Sequence, residues 1–278
     1  VKLRIISWNC NMALYQKFDR LLALRPDVAV IQECASPERD AARGWQPACS
    51  DRDWIGFNAD KGLGIFTFGG LRLRRHTAFS DAFSLYLPVE VWGRCRLNLL
   101  GLWRADEQKI PAGATNDPLA ALRYYRRFVS TPSSVVAGDF NLLPQQMSLR
   151  PSPRGGLSLV ELLARAGLRN ADTIRPAAAA GDVLRRTHYH QRKPGRGFVV
   201  DYLFAPRREA ARLARFEVGA PRDWLPCSDH VPLIAEFTLT ADSGFTNWYA
   251  ASRSFNRRPT SAPPLSQNRS GSYLRRRA

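Results

Sequence analysis

The chain has 278 residues, 45% of them hydrophobic, and sets 41 Lys and Arg against 24 Asp and Glu for a formal net charge of +17. That hydrophobic share excludes a disordered chain and suffices for one large core. The longest apolar runs fall short of the roughly 18 residues of a membrane span. Five cysteines, an odd number with no CxxC pair, exclude a disulfide scaffold and read as reduced thiols.

Residues 2–9 read as a strand, since LRIIS is β-branched and too short for a helix. A helix over 15–25 follows, with Leu21, Leu22 and Leu24 facing inward and Pro26 and Asp27 closing it, then a strand over 28–33. Residues 61–68 and 97–103 are further strands. A helix over 118–129 leads into the strand SSVVAGD, and an irregular PSPRGG stretch precedes a helix over 157–166 that Gly167 stops. The runs GFVV and VPLIAEF supply the last strands. The first strand begins so close to Val1 that no signal peptide fits, and the cytoplasm is the expected compartment.

Five short strings sit at the edges of these runs: SWN ending at Asn9, QE ending at Glu33, GDFN with Asp139 and Asn141, DY with Asp201, and SDH with Asp229 and His230. A lone Asp beside an apolar run is ordinarily a cap or turn residue. Five strings of acids, amides and one imidazole, each at a strand edge, are how a rigid sheet presents polar groups to a cleft, and together they spell a divalent-metal phosphoesterase. Hard oxygen donors such as Glu33 and Asp139, with few histidines and no paired cysteines nearby, suit Mg²⁺ or Mn²⁺ better than Zn²⁺. Cys10 and Cys34 directly follow Asn9 and Glu33, so alternation turns them away from the cleft.

Phosphodiester hydrolysis needs an in-line water, relief of charge on the nonbridging oxygens and stabilisation of the leaving oxygen. Glu33, an acid with no basic neighbour in sequence, is the first candidate metal ligand. Asp139, with Gly138 before it and Asn141 two residues on, is the candidate to position and deprotonate the water. His230 can lie against the phosphate as imidazolium, with Asp201 orienting it and raising its pKa. Asp229 is a candidate for contact with a metal or its waters, and Asn9 for a hydrogen bond to phosphate or for fixing Glu33.

At these residues the chain resembles the endonuclease/exonuclease/phosphatase superfamily, from about Leu3 to Phe237 and with all five strings in family order. The resemblance implies an α/β four-layer sandwich, two mixed β-sheets packed face to face with helices outside and the site at one edge. It implies the same roles residue by residue, with the general base left open within the pair Asp139 and His230. Asn11 stands where some family nucleases carry an acid that helps to hold metal, and an amide is a weaker ligand. Trp103 stands where many relatives place a His or Tyr against the phosphate. An indole donates one hydrogen bond but exchanges no proton, so either leaving-group assistance comes wholly from metal-bound water or the chain is slow on ordinary substrates, unless Trp103 instead stacks on a base or fills the core. Phe198 lies where abasic-site endonucleases carry a pocket-lining aromatic. Lys61, at the head of its strand, joins the substrate-binding candidates.

The basic charge predicts a polyanionic partner. It gathers in LRLRRH at 71–76, RYYRRF at 123–128, LRRTHYHQRKPGR at 184–196 and PRREAARLAR at 206–215. Arg192 and Lys193 in the third run are expected to border the cleft. Arginines interleaved with Tyr124, Tyr125, Tyr189 and His188 offer phosphate pairing and stacking faces. Residues 241–278 are rich in Ser, Arg, Asn and Pro, hold seven Arg against one Asp, and read as a disordered basic appendage to a catalytic domain over 1–240. The expected protein is a monomeric, Mg²⁺-dependent nuclease acting on DNA rather than RNA, away from membranes. A phosphatase of a small or lipid phosphate is the rival enzyme. A nucleic-acid-binding pseudoenzyme is the rival outside enzymes, hinted at by Trp103 and Asn11.

Overall fold

The computed structural model describes residues 2–106, 110–151, 156–175, 184–240 and Phe245. The expected tail over 241–278, Phe245 apart, and residues 152–155 of the irregular stretch lie outside the described residues. The strands are β1 (Lys2–Asn9), β2 (Val28–Cys34), β3 (Asp51–Asn58), β4 (Lys61–Thr67), β5 (Arg72–Arg75), β6 (Tyr86–Trp92) and β7 (Leu97–Trp103). They continue with β8 (Ser134–Asp139), β9 (Leu168–Asn170), β10 (His188–Tyr189), β11 (Gly197–Phe198), β12 (Asp201–Pro206), β13 (Leu213–Val218) and β14 (Leu233–Thr238). The helices are α1 (Phe18–Ala23), α2 (Pro37–Ala42), α3 (Pro118–Tyr124), α4 (Arg126–Val129), α5 (Pro144–Ser148), α6 (Leu159–Arg165), α7 (Ala171–Ile174) and α8 (Pro221–Trp224).

Twelve of these strands form two six-stranded sheets, ordered β13–β14–β1–β2–β4–β3 and β5–β6–β7–β8–β12–β9, with β10 and β11 a separate pair. Both sheets are mixed, because β1 runs parallel to β2 and β7 parallel to β8 while their other neighbours are antiparallel. Alternating side chains sort into layers. Leu3, Ile5, Val28, Val30, Leu63 and Ile65 of the first sheet meet Leu87, Val89, Leu97, Leu99, Val135, Ala137 and Leu203 of the second in one buried core. The opposite face of the first sheet, with Ile6, Trp8, Ala29 and Ile31, is covered by Phe18, Leu21 and Trp224. The opposite face of the second, with Leu100, Leu102, Val136 and Phe204, is covered by Leu122, Phe128, Leu159 and Leu163. The expected four-layer sandwich is the observed one.

Local departures from the sequence reading have local causes. The predicted helix over 15–25 is reduced to a single turn of 3₁₀ helix at Leu14–Gln16 and the short α1, because Lys17, at φ −123° and ψ 0°, leaves the helical region between them and Arg25 takes a left-handed φ just beyond α1. Leu21 is buried and Leu22 and Leu24 pack against the same outer layer. The predicted helix over 118–129 is two short helices meeting at Tyr125, whose ring is buried under the second sheet. GFVV does not lead in an unbroken strand to Asp201. The backbone N–H groups of Val200 and Asp201 donate to the buried Thr187 Oγ1 at 3.1 and 3.0 Å, so the pairing of β12 starts at the acid itself.

Cys10 and Cys34 lie buried in the outer layer, and burial pushes the Cys10 thiol up to about 12 and the Cys34 thiol well above its ordinary value. Neither is a thiolate at neutral pH. Phe245 is buried in the inter-sheet core, its ring 5.3 Å from that of Phe237 and its carbonyl accepting from the Arg96 N–H. The compact unit runs to Asn247.

Gly138 carries the tightest backbone approach in the sheets, since a Cβ there would stand 1.9 Å from the Leu102 carbonyl oxygen. Gly138→Ala must force β7 and β8 apart, so a loss of about 3 kcal/mol or more is expected in urea unfolding. A midpoint unchanged from the native chain would contradict this packing.

Candidate active site

The side chains that fill the core also aim the site. On β1 the inward file is Leu3, Ile5, Ser7 and Asn9; on β8 it is Val135, Ala137 and Asp139; on β12 it runs from Ala205 through Leu203 to Asp201; on β7 it ends at Trp103. Register then brings these ends together, because Asp139 pairs laterally with Asp201 on one side and with Trp103 on the other. Asn9, Asp139, Asp201 and His230 are all buried.

Glu33 arrives by a different route. On β2 the inward file is Val28, Val30 and Gln32, so regular alternation would turn Glu33 outward. A bulge between Gln32 and Cys34, with Glu33 at φ 61°, absorbs one residue. It re-aims the acid toward Asn9 and returns Cys34 to the outer layer. The Asn9 amide Nδ2 donates to Glu33 Oε1 at 3.2 Å and to Asp139 Oδ2 at 3.1 Å. Its Oδ1 accepts from the Asn11 backbone N–H at 3.0 Å, which settles which end of the amide faces the acids.

Asp139 is further held by the Asn141 backbone N–H on Oδ1 at 2.9 Å and by the Asn141 amide on Oδ2 at 3.2 Å. Burial first, and then the neighbouring Asp201 charge, push its pKa upward against the opposing pull of His230 and these hydrogen bonds. His230 Nδ1 lies 2.8 Å from Asp201 Oδ2, and Nε2 lies 3.9 Å from Asp139 Oδ2. Burial disfavours the charged ring, yet Asp201, Asp139 and Asp229 outweigh it and raise the pKa of His230. Asp229 is held down at about 2 despite its burial, by His188 and then by His230.

The remaining candidates are distributed unevenly. Lys61 points at Glu33, with Nζ 2.7 Å from Oε2 and also 5.5 Å from the centre of the Trp103 ring, so the acid without a basic neighbour in sequence has one in space. Trp103 is buried against Phe57 in the inter-sheet core, which favours the core-filling reading over base stacking. Asn11 serves Asn9 through its backbone. Phe198 is exposed and stacks on His188 with ring centres 6.3 Å apart. Arg192 and Lys193 occupy the loop between β10 and β11, where Arg192 donates to the Pro226 carbonyl; neither is brought into contact with the acids.

Three residues were given no place in the catalytic cluster by sequence. Ser228 is fully buried; its Oγ donates to the Asn9 carbonyl at 2.8 Å and accepts from the His230 N–H at 3.0 Å. Thr187 holds the start of β12, as above. His188 Nε2 stands 3.6 Å from Asp229 Oδ2, and its ring centre 4.5 Å from that of His230. The signal for Ser228 was its place in SDH beside two catalytic candidates; the other two lie in a basic run that reads as surface.

Four carboxylates, Glu33, Asp139, Asp201 and Asp229, face chiefly two paired cations, Lys61 and His230, and the buried Asp201 Oδ1 has no hydrogen-bond partner among the described residues. Ligand atoms of Asp139, Asp201 and His230, and of His188, Asp229 and His230, converge closely enough to hold an ion. Excess negative charge and hard oxygen donors fit a divalent cation. The geometry also predicts the ring charge of His230. Its folded-state pKa is raised, so its contribution to stability is complete below the ordinary value of about 6.5 and is lost as pH rises through the raised value. By NMR in chelator, His230 should remain protonated at about pH 7.5, and Asp201→Asn should lower its pKa by at least about 1 unit. An unchanged titration in the variant would contradict the pairing.

The fold is shared with solved structures of low sequence identity. The AP endonuclease LMAP from Leishmania major superposes with a TM-score of 0.59 at 15% identity, over 86% of this chain and 88% of that one. The 3' phosphatase NExo from Neisseria, bound to a product DNA hairpin, gives 0.58 at 19% identity over 85% and 100%. An AP endonuclease from Archaeoglobus fulgidus gives 0.55 at 19% identity over 85% and 100%. No curated protein matches the sequence. Residues 6–230, a span containing every acid, amide and imidazole of the site, match the model of the Endonuclease/Exonuclease/phosphatase family, and the chain belongs to that family.

Proposed function

We propose that the chain is a divalent-metal-dependent phosphodiesterase that hydrolyses nucleic acid, DNA rather than RNA, using Mg²⁺ or Mn²⁺. The observation that carries this reading is the Asn9 amide, which ties Glu33 to Asp139 at the point where Asp139 also faces the His230–Asp201 pair. Asp139, its carboxylate fixed by Asn9 and Asn141 and made more basic by burial, is the group that accepts a proton from the attacking water. Asp201 keeps a proton on His230 Nδ1, so Nε2–H is presented as a charged donor to the phosphate. Glu33 and Asp229 would hold the metal, which when bound withdraws charge from the phosphate oxygens as a Lewis acid. Trp103 offers no proton to the leaving oxygen, which leaves that task to the charged groups around it.

Nucleic acid is favoured over a small phosphate by the basic charge outside the tail and by the DNA-processing neighbours among similar structures. All named site residues lie within the unit that ends at Asn247, which supports action by a single copy. Five unpaired cysteines fit the reducing cytoplasm, and no helix among the described residues is long and apolar enough to cross a membrane.

The test is a panel of labelled single-stranded, duplex, abasic and RNA oligonucleotides, with phosphorylated metabolites alongside, in Mg²⁺ and in chelator. DNA cleavage that needs metal is expected, and Glu33→Gln should abolish it because an amide cannot neutralise the cation. Undiminished cleavage in chelator, or turnover of metabolites alone, would overturn the reading. His230→Ala should lower turnover by about 10² with affinity within a few-fold.

Removing residues 248–278 takes away seven Arg and no acid while sparing Phe245. We propose that this arm tracks DNA. The truncated protein is then expected to bind more weakly, with a logarithmic salt dependence shallower by about 0.9 for each duplex phosphate the arm neutralises, and an unchanged rate at saturation. An identical slope would show that the arm does not touch nucleic acid.

A further inference from the structure

Between the last residue of β1 and the first turn of helix the chain makes three consecutive left-handed steps, Asn11 at φ 50°, Met12 at 64° and Ala13 at 48°. None is glycine, and each carries a steric cost for this conformation. In such a turn the carbonyls point the same way, as they do in any helix. The carbonyls of Cys10, Asn11 and Met12 converge on one atom, Lys17 Nζ, at 2.6, 3.1 and 2.9 Å. The half-buried ammonium directs its three protons there and has no ion-pair partner among the described residues. The base of the lysine is fixed as well, since its own N–H donates to the Leu14 carbonyl at 2.9 Å.

What this loop holds is the orientation of Asn9. The Asn11 N–H that bonds Asn9 Oδ1 belongs to the same planar peptide unit as the Cys10 carbonyl, so the lysine that holds that carbonyl at 2.6 Å, at the entry to the left-handed turn, also aims the N–H. Without it, nothing in the loop prevents the Asn9 amide from turning over and presenting Oδ1, an acceptor, to the two carboxylates that now receive Nδ2. We propose that Lys17 is a positioning residue of the active site: by capping the left-handed turn 11–13 it fixes the Asn9 amide, and through it the relative placement of Glu33 and Asp139. The kinetic part of this proposal rests on the phosphodiesterase reading; the structural part does not.

Because the lysine acts by offsetting backbone strain, relieving the strain should replace it. Glycine takes the left-handed conformation freely, and neither Met12 nor Ala13 brings a charged or hydrogen-bonding side chain to the site. The experiment compares the full chain, Lys17→Met, the pair Met12→Gly/Ala13→Gly, and the triple combination. It reads kcat and KM on the best oligonucleotide of the panel, and the hydrogen exchange rate of the Asn11 amide. Lys17→Met is expected to lower kcat about thirtyfold with KM within about threefold, and to speed Asn11 exchange about tenfold while Ile5 and Ile6 are unaffected. The glycine pair alone should stay within about twofold of the native chain, and in the triple variant both readouts should return to within about threefold of it.

Lys17→Gln, which keeps a shorter donor, should show the same order with smaller amplitude, and replaces Lys17→Met if that variant does not fold. Failure of the glycine pair to restore exchange and kcat, or an Asn11 amide indifferent to Lys17, would overturn the proposal. If the native chain cleaves no phosphodiester, the exchange measurement decides alone, so the failure of one reading is not mistaken for the failure of the other.

Discussion

Two sheets packed face to face keep their inward files of side chains chiefly apolar for as long as they are covered, the bonded pair Ser7 and Gln32 being a buried polar exception in the first sheet, and charged groups enter where cover ends. In this protein the files of β1, β7, β8 and β12 end together, and Asn9, Trp103, Asp139 and Asp201 are the residues at which they do so. The core therefore determines the spacing of the polar groups. Sheet packing is close to crystalline in density, so the separations among these groups are inherited from Leu, Val and Ile contacts several residues back along each strand.

Burial then gives the polar groups their character. Burial and Asp201 raise the pKa of Asp139 against the pull of His230, while Asp201 and Asp139 raise that of His230 against its burial, and the outcome is a carboxyl group and an imidazolium side by side in a buried cluster. Such a pair is costly to bury alone and becomes stable only when hydrogen bonds fill the remaining valences. Asn9 and Asn141 supply those bonds to Asp139, and Asp201 to His230 Nδ1, while Ser228 and Thr187 accept from the backbone N–H groups of His230 and Asp201 and hold the two backbone segments in place. Lys61 adds a cation to Glu33 on the opposite wall, resting on the face of Trp103. The indole that cannot exchange a proton thus underlies a fixed positive charge.

How much of this could be read in the sequence depended on periodicity. Asn9, Asp139 and Asp201 are legible because they continue a period of two from unmistakable strands. The identity of Glu33 was legible but its direction was not, since a bulge leaves no residue-type signature when the bulged residue is not glycine. The same holds for Asn11, Met12 and Ala13, three ordinary residues whose left-handed turn is held by side-chain bonds from Lys17 and is hidden from propensity. The partnership of Lys61 and Glu33 escaped because it depends on the tight turn between β3 and β4, which returns the chain beside a strand much earlier in sequence. Phe245 was hidden by its neighbours: one aromatic in a Ser- and Asn-rich segment does not announce that it is core.

The bulge in β2 also decides which kinds of genetic change the site can survive. Glu33 and Cys34 are adjacent, yet one faces the cleft and the other lies in the outer hydrophobic layer, and only the extra residue in the ladder makes that assignment. Loss of a single codon anywhere in the bulge would restore regular pairing and leave every surviving residue type intact. Residues beyond the bulge would keep their faces, but the acid would not stay in place: loss of Glu33 removes it, loss of Cys34 turns Glu33 into the layer under α1, and loss of Gln32 moves Glu33 into the covered inward position. In this strand the length of the coding sequence is under tighter constraint than the identity of most of its residues.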